Sequence, residues 1–212
     1  MFDYTLAHWS AFLIAAVLLN LSPGPDIAFI LAQTAKKGLR AGFAAMFGIW
    51  SGAFLHVLLA AIGLSAVMAT SAIAFTIVKW IGAIYLIWLG IQAFRSNGAS
   101  YSSSAKVKDS SNLRVYQQGI LVSALNPKVA IFFLAFLPQF VVPGAGPASA
   151  QLFLHGILII AVAAFIEPPL VFLGSRLTRY LNKNSRIAAW MDRSLGTLFV
   201  VLGVRLALSE RG

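Results

Sequence analysis

The sequence predicts an all-α integral membrane protein, with six transmembrane helices arranged as two inverted three-helix repeats and with proline-broken helices 1 and 4. Composition, the six apolar segments and the placement of basic residues lead to this fold class. Of the 212 residues, 59% are hydrophobic and 10% are charged, which is more apolar surface than a soluble domain of this length buries. A soluble core would also need helices with polar faces, whereas these segments are apolar all round.

Windows of about 20 apolar residues locate the predicted transmembrane helices. They cover residues 8–32, 41–66, 72–94, 119–141, 149–173 and 189–208. The first residues carry Asp3 and no Lys or Arg, so we predict a retained first helix rather than a cleavable signal peptide. The absence of cysteine excludes disulfides, thiol chemistry and Cys-based metal sites.

Basic residues alternate between the loops, which predicts the orientation. Twelve of the 16 Lys and Arg residues follow helices 1, 3 and 5: Lys36, Lys37, Arg40, Arg95, Lys106, Lys108, Arg114, Arg176, Arg179, Lys183, Arg186 and Arg193. The opposite connections, 67–71 and 142–148, hold none. By the positive-inside rule, the basic loops are cytoplasmic and both termini are periplasmic. This alternation predicts contact with membrane lipid and no nucleic-acid partner.

An internal division predicts a single transmembrane domain, 1–212, built from two halves. A serine-rich segment, 96–112, predicts a cytoplasmic linker between half 1 (1–95) and half 2 (113–212). Short matches recur in the same order in both halves: PDIA at 25–28 with PKVA at 127–130, His56 with His155, and LGI at 89–91 with LGV at 202–204. Because each half has three spans, the two halves must be inverted relative to each other.

Prolines interrupt the first predicted helix where a buried helix is normally most regular. The stretch SPGPD contains Ser22, Pro23, Gly24, Pro25 and Asp26. Proline lacks an N–H and clashes with the preceding turn, so the helix must break or kink here. Ser22 is a predicted N-cap, with Pro23 at the first position of a new half-helix. Broken backbone at membrane depth is tolerated where it is buried in protein or lines a watery cavity.

The second half repeats this arrangement in its predicted fourth helix. Asn126 is the predicted N-cap and Pro127 takes the first helical position. Pro25 precedes Lys36 by 11 residues and Pro127 follows Arg114 by 13, so both breaks lie roughly 16–20 Å from the cytoplasmic charges. Two helix N-termini at one depth predict a shared polar cavity suited to an anionic group. The alternative is that the prolines only kink two packed helices.

Three ionisable residues lie inside predicted spans. Each charge at Asp26, Lys128 or Glu167 costs about 2.5–3.5 kcal/mol at the bilayer centre, so we expect these side chains to face one another or water. Two alternatives stay open: Asp26 and Lys128 form a structural ion pair, and Glu167 snorkels near the cytoplasmic end of helix 5. The prolines after Glu167, Pro168 and Pro169, predict a third irregular site.

Other polar and small residues are predicted to serve packing. His56 and His155 are interpreted as packing or interface histidines rather than proton carriers. Glycines in the second and third helices predict close helix–helix approach; they are Gly48, Gly52, Gly82 and Gly90.

Four stretches together carry a family resemblance. They are SPGPD at 22–26, GF at 42–43, IGAIYLIWLGIQAFR at 81–95, and GILVSALNPKVAIFFLAFLPQF at 119–140. The sequence resembles the LysE/RhtB superfamily of bacterial amino-acid exporters, in the homoserine/threonine efflux branch, over nearly the whole chain. The resemblance implies a multi-pass transporter of the bacterial inner membrane that exports small amino acids, driven by the proton motive force.

We therefore predict a secondary transporter for a small amino-acid substrate that is threonine-like, homoserine-like or otherwise neutral. In this hypothesis Asp26 accepts the α-ammonium group of the zwitterion, while Lys128 and the helix N-termini hold its carboxylate. An enzyme is not expected, because residues 48–52 read GIWSG, one position off the Gly-x-Ser-Gly turn of an intramembrane serine protease.

Neither a metal nor another cofactor is expected, since three scattered histidines and no cysteine do not make a ligand cluster. A channel-like or structural membrane protein without carrier activity remains the alternative. The sequence leaves open whether the chain forms a homo-oligomer.

Overall fold

The computed structural model describes residues 4–21, 24–70, 72–95 and 111–183, together with ten positions between 190 and 208. The elements in these ranges are all helical, and no strand occurs in them. The eight α-helices are α1 (Leu6–Leu21), α2 (Pro25–Lys37), α3 (Leu39–Leu59), α4 (Ser65–Thr70), α5 (Ala72–Arg95), α6 (Asn112–Ala124), α7 (Pro127–Ile131) and α8 (Ala148–Lys183). Two π-helical turns, Ala60–Leu64 and Phe132–Phe136, and a 3₁₀ turn, Leu137–Phe140, complete them.

Two of these helical stretches are long and apolar enough to cross a membrane. They are Leu39–Val67, with 29 residues, and Ala148–Gly174, with 27. Two further candidates are bent pairs, Leu6–Leu21 with Pro25–Lys37 and Asn112–Ala124 with Pro127–Phe140, each bent by 47°. The described residues thus contain two candidate spans, or up to four if each bent pair is one span. The arrangement of six helices in two inverted repeats stays a prediction. Residues 96–110 of the predicted linker and most of the sixth segment lie outside the described residues.

The predicted breaks occur in both bent pairs, with one correction at the first. α1 ends at Leu21 and α2 begins at Pro25 instead of at Pro23. Gly24 precedes it in an extended conformation, with φ −176° and ψ −177°, because the residue before a proline is pushed out of the α region. Gly24, rather than Ser22, is therefore the N-cap, and Ser22 and Pro23 lie outside the described residues.

The second break agrees with the sequence prediction. Asn126 is the N-cap of α7, and its side-chain oxygen accepts a hydrogen bond from the Lys128 backbone N–H at 3.0 Å. Pro127 occupies the first helical position, where its missing N–H needs no acceptor. Local chemistry thus fixes where α7 begins.

Close packing of α3 against α6 joins the two predicted halves. A Cβ added at Gly119 would lie 2.7 Å from the Ala45 carbonyl oxygen, and one added at Gly52 would lie 2.6 Å from that of Ile120. At Gly48 an added Cβ would collide with the Tyr116 carbonyl oxygen. The small residues therefore let the two backbones touch.

The predicted packing roles of Gly90 and His56 agree with the structure. Gly90 packs in the same way against Gly196, since an added Cβ would lie 2.7 Å from the Gly196 carbonyl oxygen. The surroundings of Gly82 are outside what the structure describes. His56 is buried, with Nε2 3.2 Å from the Ser123 carbonyl oxygen, as expected for a packing histidine.

The core lies between the helices, and apolar side chains also cover the outside. Phe12, Phe132, Phe136 and Leu152 are fully buried in one cluster between α1, α8 and the second π-helical turn. In contrast, Phe165 is 82% exposed, as expected for a surface that faces lipid. The fold is thus an all-α, multi-pass membrane protein.

Candidate functional site

One small cavity lies where the two broken helices meet. Asp26 and Lys128 are half-buried and Glu167 is buried, and all three line the cavity. Its apolar wall comes from Leu19, Ile27, Ile49, Ala53, Phe133 and Ile160. The volume of about 40 Å³ equals roughly two or three water-sized spaces. The predicted ionisable residues thus share one site, and that site is small.

Asn126 links the two breaks directly. Its Nδ2 donates a hydrogen bond to Asp26 Oδ1 at 2.9 Å, while its Oδ1 accepts from the Lys128 backbone N–H at 3.0 Å. Asp26 is the second residue of α2, and Lys128 is the second residue of α7. One amide side chain therefore holds an acid from one helix N-terminus against the other N-terminus.

The Lys128 side chain passes over the start of α2. A Cβ added at Gly24 would lie 3.2 Å from Lys128 Nζ and 3.5 Å from its Cδ. Gly24 makes no side-chain capping hydrogen bond, so the first turn of α2 presents its N–H groups and its positive dipole end beside an ammonium group. This arrangement favours an anionic group at the N-terminus of α2.

Glu167 has a specific partner that the sequence did not reveal. Trp50 Nε1 donates a hydrogen bond to Glu167 Oε2 at 2.7 Å, and Glu167 is only 4% exposed. The snorkelling alternative is therefore wrong, because the carboxylate points into the cavity and bonds to the indole. α8 continues through Pro168 and Pro169, so the predicted third irregular site does not interrupt the helix.

The three charges influence one another across the cavity. Asp26 and Lys128 attract each other, Lys128 also attracts Glu167, and the two carboxylates repel. One base and two acids in the same cavity suit a site that exchanges an internal ion pair for a ligand with both charges. The same arrangement also suits the structural ion pair that the sequence left open.

An open groove of about 630 Å³ lies on the other side of Trp50. Trp50 and Ile160 line both the groove and the central cavity, and therefore separate them. In the groove the hydroxyl groups of Ser51 and Tyr116 are 2.8 Å apart and share a hydrogen bond. Trp50 thus lies beside the buried carboxylate of Glu167 and also forms part of the wall of the open groove.

Sequence reasoning missed Trp50 and Asn20 as site residues. Asn20 lines the cavity, and its Nδ2 donates to the carbonyl oxygens of Ala16 at 2.8 Å and Ile159 at 3.3 Å. A signal existed for Asn20, which is a polar residue inside an apolar run just before the proline break. Trp50 carried no such signal, because an indole in a membrane helix usually serves packing.

Comparison with known proteins identifies the family of the chain. The model of the family described as LysE type translocator matches residues 17–210. The chain is 33% identical over 203 residues to the homoserine/homoserine lactone efflux protein of Salmonella typhi. The aligned residues cover 96% of this chain and 97% of the relative. The protein of that name in Salmonella typhimurium is 32% identical, with the same coverage.

A further relative is an uncharacterized membrane protein of Vibrio cholerae, 32% identical over 202 residues, covering 95% of this chain and 97% of the relative. No solved structure matches the chain. The family resemblance expected from the sequence motifs is confirmed. The chain belongs to the LysE family of translocators, and it is a multi-pass membrane transporter and not an enzyme.

Proposed function

We propose that this transporter exports small neutral amino acids, homoserine-like or threonine-like, across the bacterial inner membrane and exchanges them for protons. One observation carries the proposal: a single cavity at two broken helices contains Asp26, Lys128 and Glu167. Relatives named homoserine/homoserine lactone efflux proteins support the substrate class. Intramembrane ionisable residues in a cavity are typical of substrate and ion pathways.

The proposed site holds both charges of a zwitterion. Asp26 accepts the α-ammonium group of the substrate, and Lys128 Nζ holds its carboxylate together with the first N–H groups of α2. The position of Nζ, 3.2 Å from where a Cβ at Gly24 would lie, supports this role. In the empty carrier Asp26 and Lys128 pair with each other, and the substrate replaces each partner as it binds.

The small volume of the cavity supports a carrier that alternates between two openings. About 40 Å³ is less space than an amino acid needs, since it equals only two or three water-sized spaces. The site must therefore widen to load and to release the substrate. Rocking of half 1 (1–95) against half 2 (113–212), which are joined by the linker at 96–112, provides this change.

The charge distribution supports cytoplasmic basic loops and periplasmic termini in the inner membrane. Single cysteines introduced as Lys37→Cys, Val107→Cys and Lys183→Cys test this orientation in whole cells. We expect them to react with membrane-permeant reagents only, and labelling by an impermeant reagent would reverse the topology.

Substrate counterflow in proteoliposomes tests the proposed function. Vesicles are loaded with an unlabelled amino acid, and the uptake of the labelled compound is followed for homoserine, threonine, homoserine lactone and a charged control such as lysine. We expect saturable exchange of the small neutral amino acids. Flux that never saturates would mark the channel-like alternative, and no flux for any compound would contradict the proposal.

A further inference from the structure

Two histidines face each other far from the central cavity. His8 Nε2 and His155 Nε2 are 2.9 Å apart and join α1 to α8 across 147 positions of sequence. His8 is half-buried and His155 is 1% exposed. The contact fits the sequence-based interpretation of His155 as a packing or interface histidine, and it also requires one of the two ring nitrogens to carry a proton.

The hydrogen bonds decide where the protons lie. His155 Nδ1 is 2.8 Å from the Gln151 carbonyl oxygen, and a carbonyl only accepts, so His155 Nδ1 carries a hydrogen. In a neutral His155 the Nε2 atom is then an acceptor, and His8 Nε2 must donate to it. An added proton therefore binds at His8 Nδ1. A second added proton would place two N–H groups face to face, so the pair accepts one proton without breaking.

Gln151 holds this geometry rigidly. Its Oε1 accepts from Tyr4 Oη at 3.0 Å and from the Val142 N–H at 2.8 Å. Its Nε2 donates to the carbonyl oxygens of Val142 at 3.0 Å and Gly146 at 2.9 Å. With every side-chain hydrogen bond made, the fully buried Gln151 fixes the first turns of α8 and hence the His155 ring.

Aromatic rings pack against both histidines of the pair. Tyr4 stacks on His8 with ring centroids 4.3 Å apart, and Trp9 stacks on His155 with centroids 5.6 Å apart. Ring faces attract cations. Tyr4 is the titratable side chain that faces His8 from the segment before α1, while Gln151 of α8 and Phe140 of the 3₁₀ turn do not titrate. Asp3 lies outside the described residues.

We infer that the His8–His155 pair is the proton-binding site of the carrier at its outer end, with a capacity of one proton. His155 precedes Glu167 by 12 residues on α8, about 18 Å along the helix, on the side away from the basic loops. This inference rests on the proposed function, because a proton site matters only if transport is coupled to protons. One proton enters at His8 from the periplasm, and its charge is shared with His155 through the Nε2–H···Nε2 contact.

Gradient-driven transport in proteoliposomes tests the inference, with the membrane potential clamped by potassium and valinomycin. A pH difference of one unit, coupled to one proton per substrate, sustains about a tenfold accumulation of a neutral amino acid on the acidic side. We expect this accumulation in the wild type and in Ser10→Ala, because Ser10 is exposed and its hydroxyl donates to the Leu6 carbonyl oxygen of its own helix.

The variants His8→Gln and His155→Gln distinguish proton coupling from substrate transport. We expect accumulation to fall to about onefold while counterflow at equal pH changes less than about twofold, since exchange of substrate for substrate needs no net proton transfer. If His155→Gln does not fold, the half-buried His8→Gln decides. Full accumulation in His8→Gln overturns the inference. Loss of counterflow in a variant whose unfolding temperature is unchanged also overturns it, because the pair would then act in substrate transport itself.

The wild type separates this inference from the proposed function. Absent counterflow in the wild type contradicts the carrier itself. Normal counterflow without accumulation in a pH gradient leaves the carrier intact but overturns its exchange for protons and, with it, the proton site. Accumulation in the wild type and equally in His8→Gln overturns only the proton site.

Discussion

Asn126 of α7 donates a hydrogen bond to the Asp26 carboxylate of α2 at 2.9 Å, across 100 positions of sequence. The bond joins two helix N-termini, each beginning with a proline. Since Asn126 also caps its own helix, one side chain connects the local start of α7 to the contact between the predicted halves. Substitutions at these positions separate folding from substrate binding.

The variant Asn126→Asp isolates the bond to Asp26. The new side chain still caps α7, but it no longer donates, and it repels the carboxylate of Asp26. We expect a loss of about 1.5–3 kcal/mol in unfolding free energy, as for a hydrogen bond to a charged group, measured by denaturation in detergent. The double variant Asp26→Asn with Asn126→Asp restores the donor–acceptor pair and hence the stability, but not transport, because the carboxylate has left position 26. Wild-type stability of Asn126→Asp alone would show that the bond contributes nothing.

The variant Gly24→Ala tests the placement of the Lys128 ammonium group. Extended backbone at residue 24 accepts alanine without strain, but the added Cβ would lie 3.2 Å from Nζ and displace it slightly. We expect KM to rise about three- to tenfold, up to about 1.4 kcal/mol, with little change in kcat. In a Lys128→Ala background the same substitution should add nothing. An unchanged KM in the single variant would remove Nζ from the substrate site.

The variant Trp50→Phe tests the partner of Glu167. It keeps an aromatic ring but removes the N–H that donates to Glu167 Oε2, which leaves a buried carboxylate without this donor. We expect about tenfold slower counterflow, equivalent to about 1.4 kcal/mol. Trp88→Phe is the matched control, because Trp88 is 48% exposed. Equal effects of Trp50→Phe in the wild type and in a Glu167→Ala background would show that Trp50 does not act through Glu167.

The variants Gly48→Ala and Gly119→Ala test the contact between α3 and α6. Each added methyl group would meet backbone of the facing helix, which cannot move without separating the two helices. We expect a loss of about 1–3 kcal/mol in unfolding free energy, typical of overpacking. Gly63→Ala is the control, since nothing lies within 4 Å of its added Cβ. Equal stability of all three variants would contradict the close backbone contact.

The parts of the site that depend on local chemistry were predictable from the sequence. An Asn-Pro pair inside an apolar run predicts a capped helix start, and the structure has this arrangement at Asn126 and Pro127. The stretch SPGPD contains two prolines, and either could begin α2. The helix begins at Pro25 because Gly24 is in an extended conformation. Pro25 imposes that conformation on the residue before it, and the prediction of an N-cap at Ser22 did not take this into account.

The contacts between distant residues were not predictable in the same way. Trp50 bonds to Glu167 across 117 positions, and His8 meets His155 across 147. These pairs depend on how α1 and α3 pack on α8, and one sequence contains no signal for that packing. The burial of Glu167 at 4% exposed is a result of the same packing, and it overturned the snorkelling alternative.

The charge-swapped variant Asp26→Lys with Lys128→Asp tests the zwitterion site most directly. Its readouts are the unfolding temperature in detergent and the counterflow of homoserine or threonine in proteoliposomes, beside the wild type and both single variants. We expect the swap to restore much of the stability lost in the single variants, because opposite charges again face each other. Counterflow should stay at least tenfold below the wild type, about 1.4 kcal/mol or more, because each charge now meets the wrong end of the substrate. Full counterflow in the swapped variant would show that Asp26 and Lys128 form a structural ion pair and contradict direct recognition of the substrate.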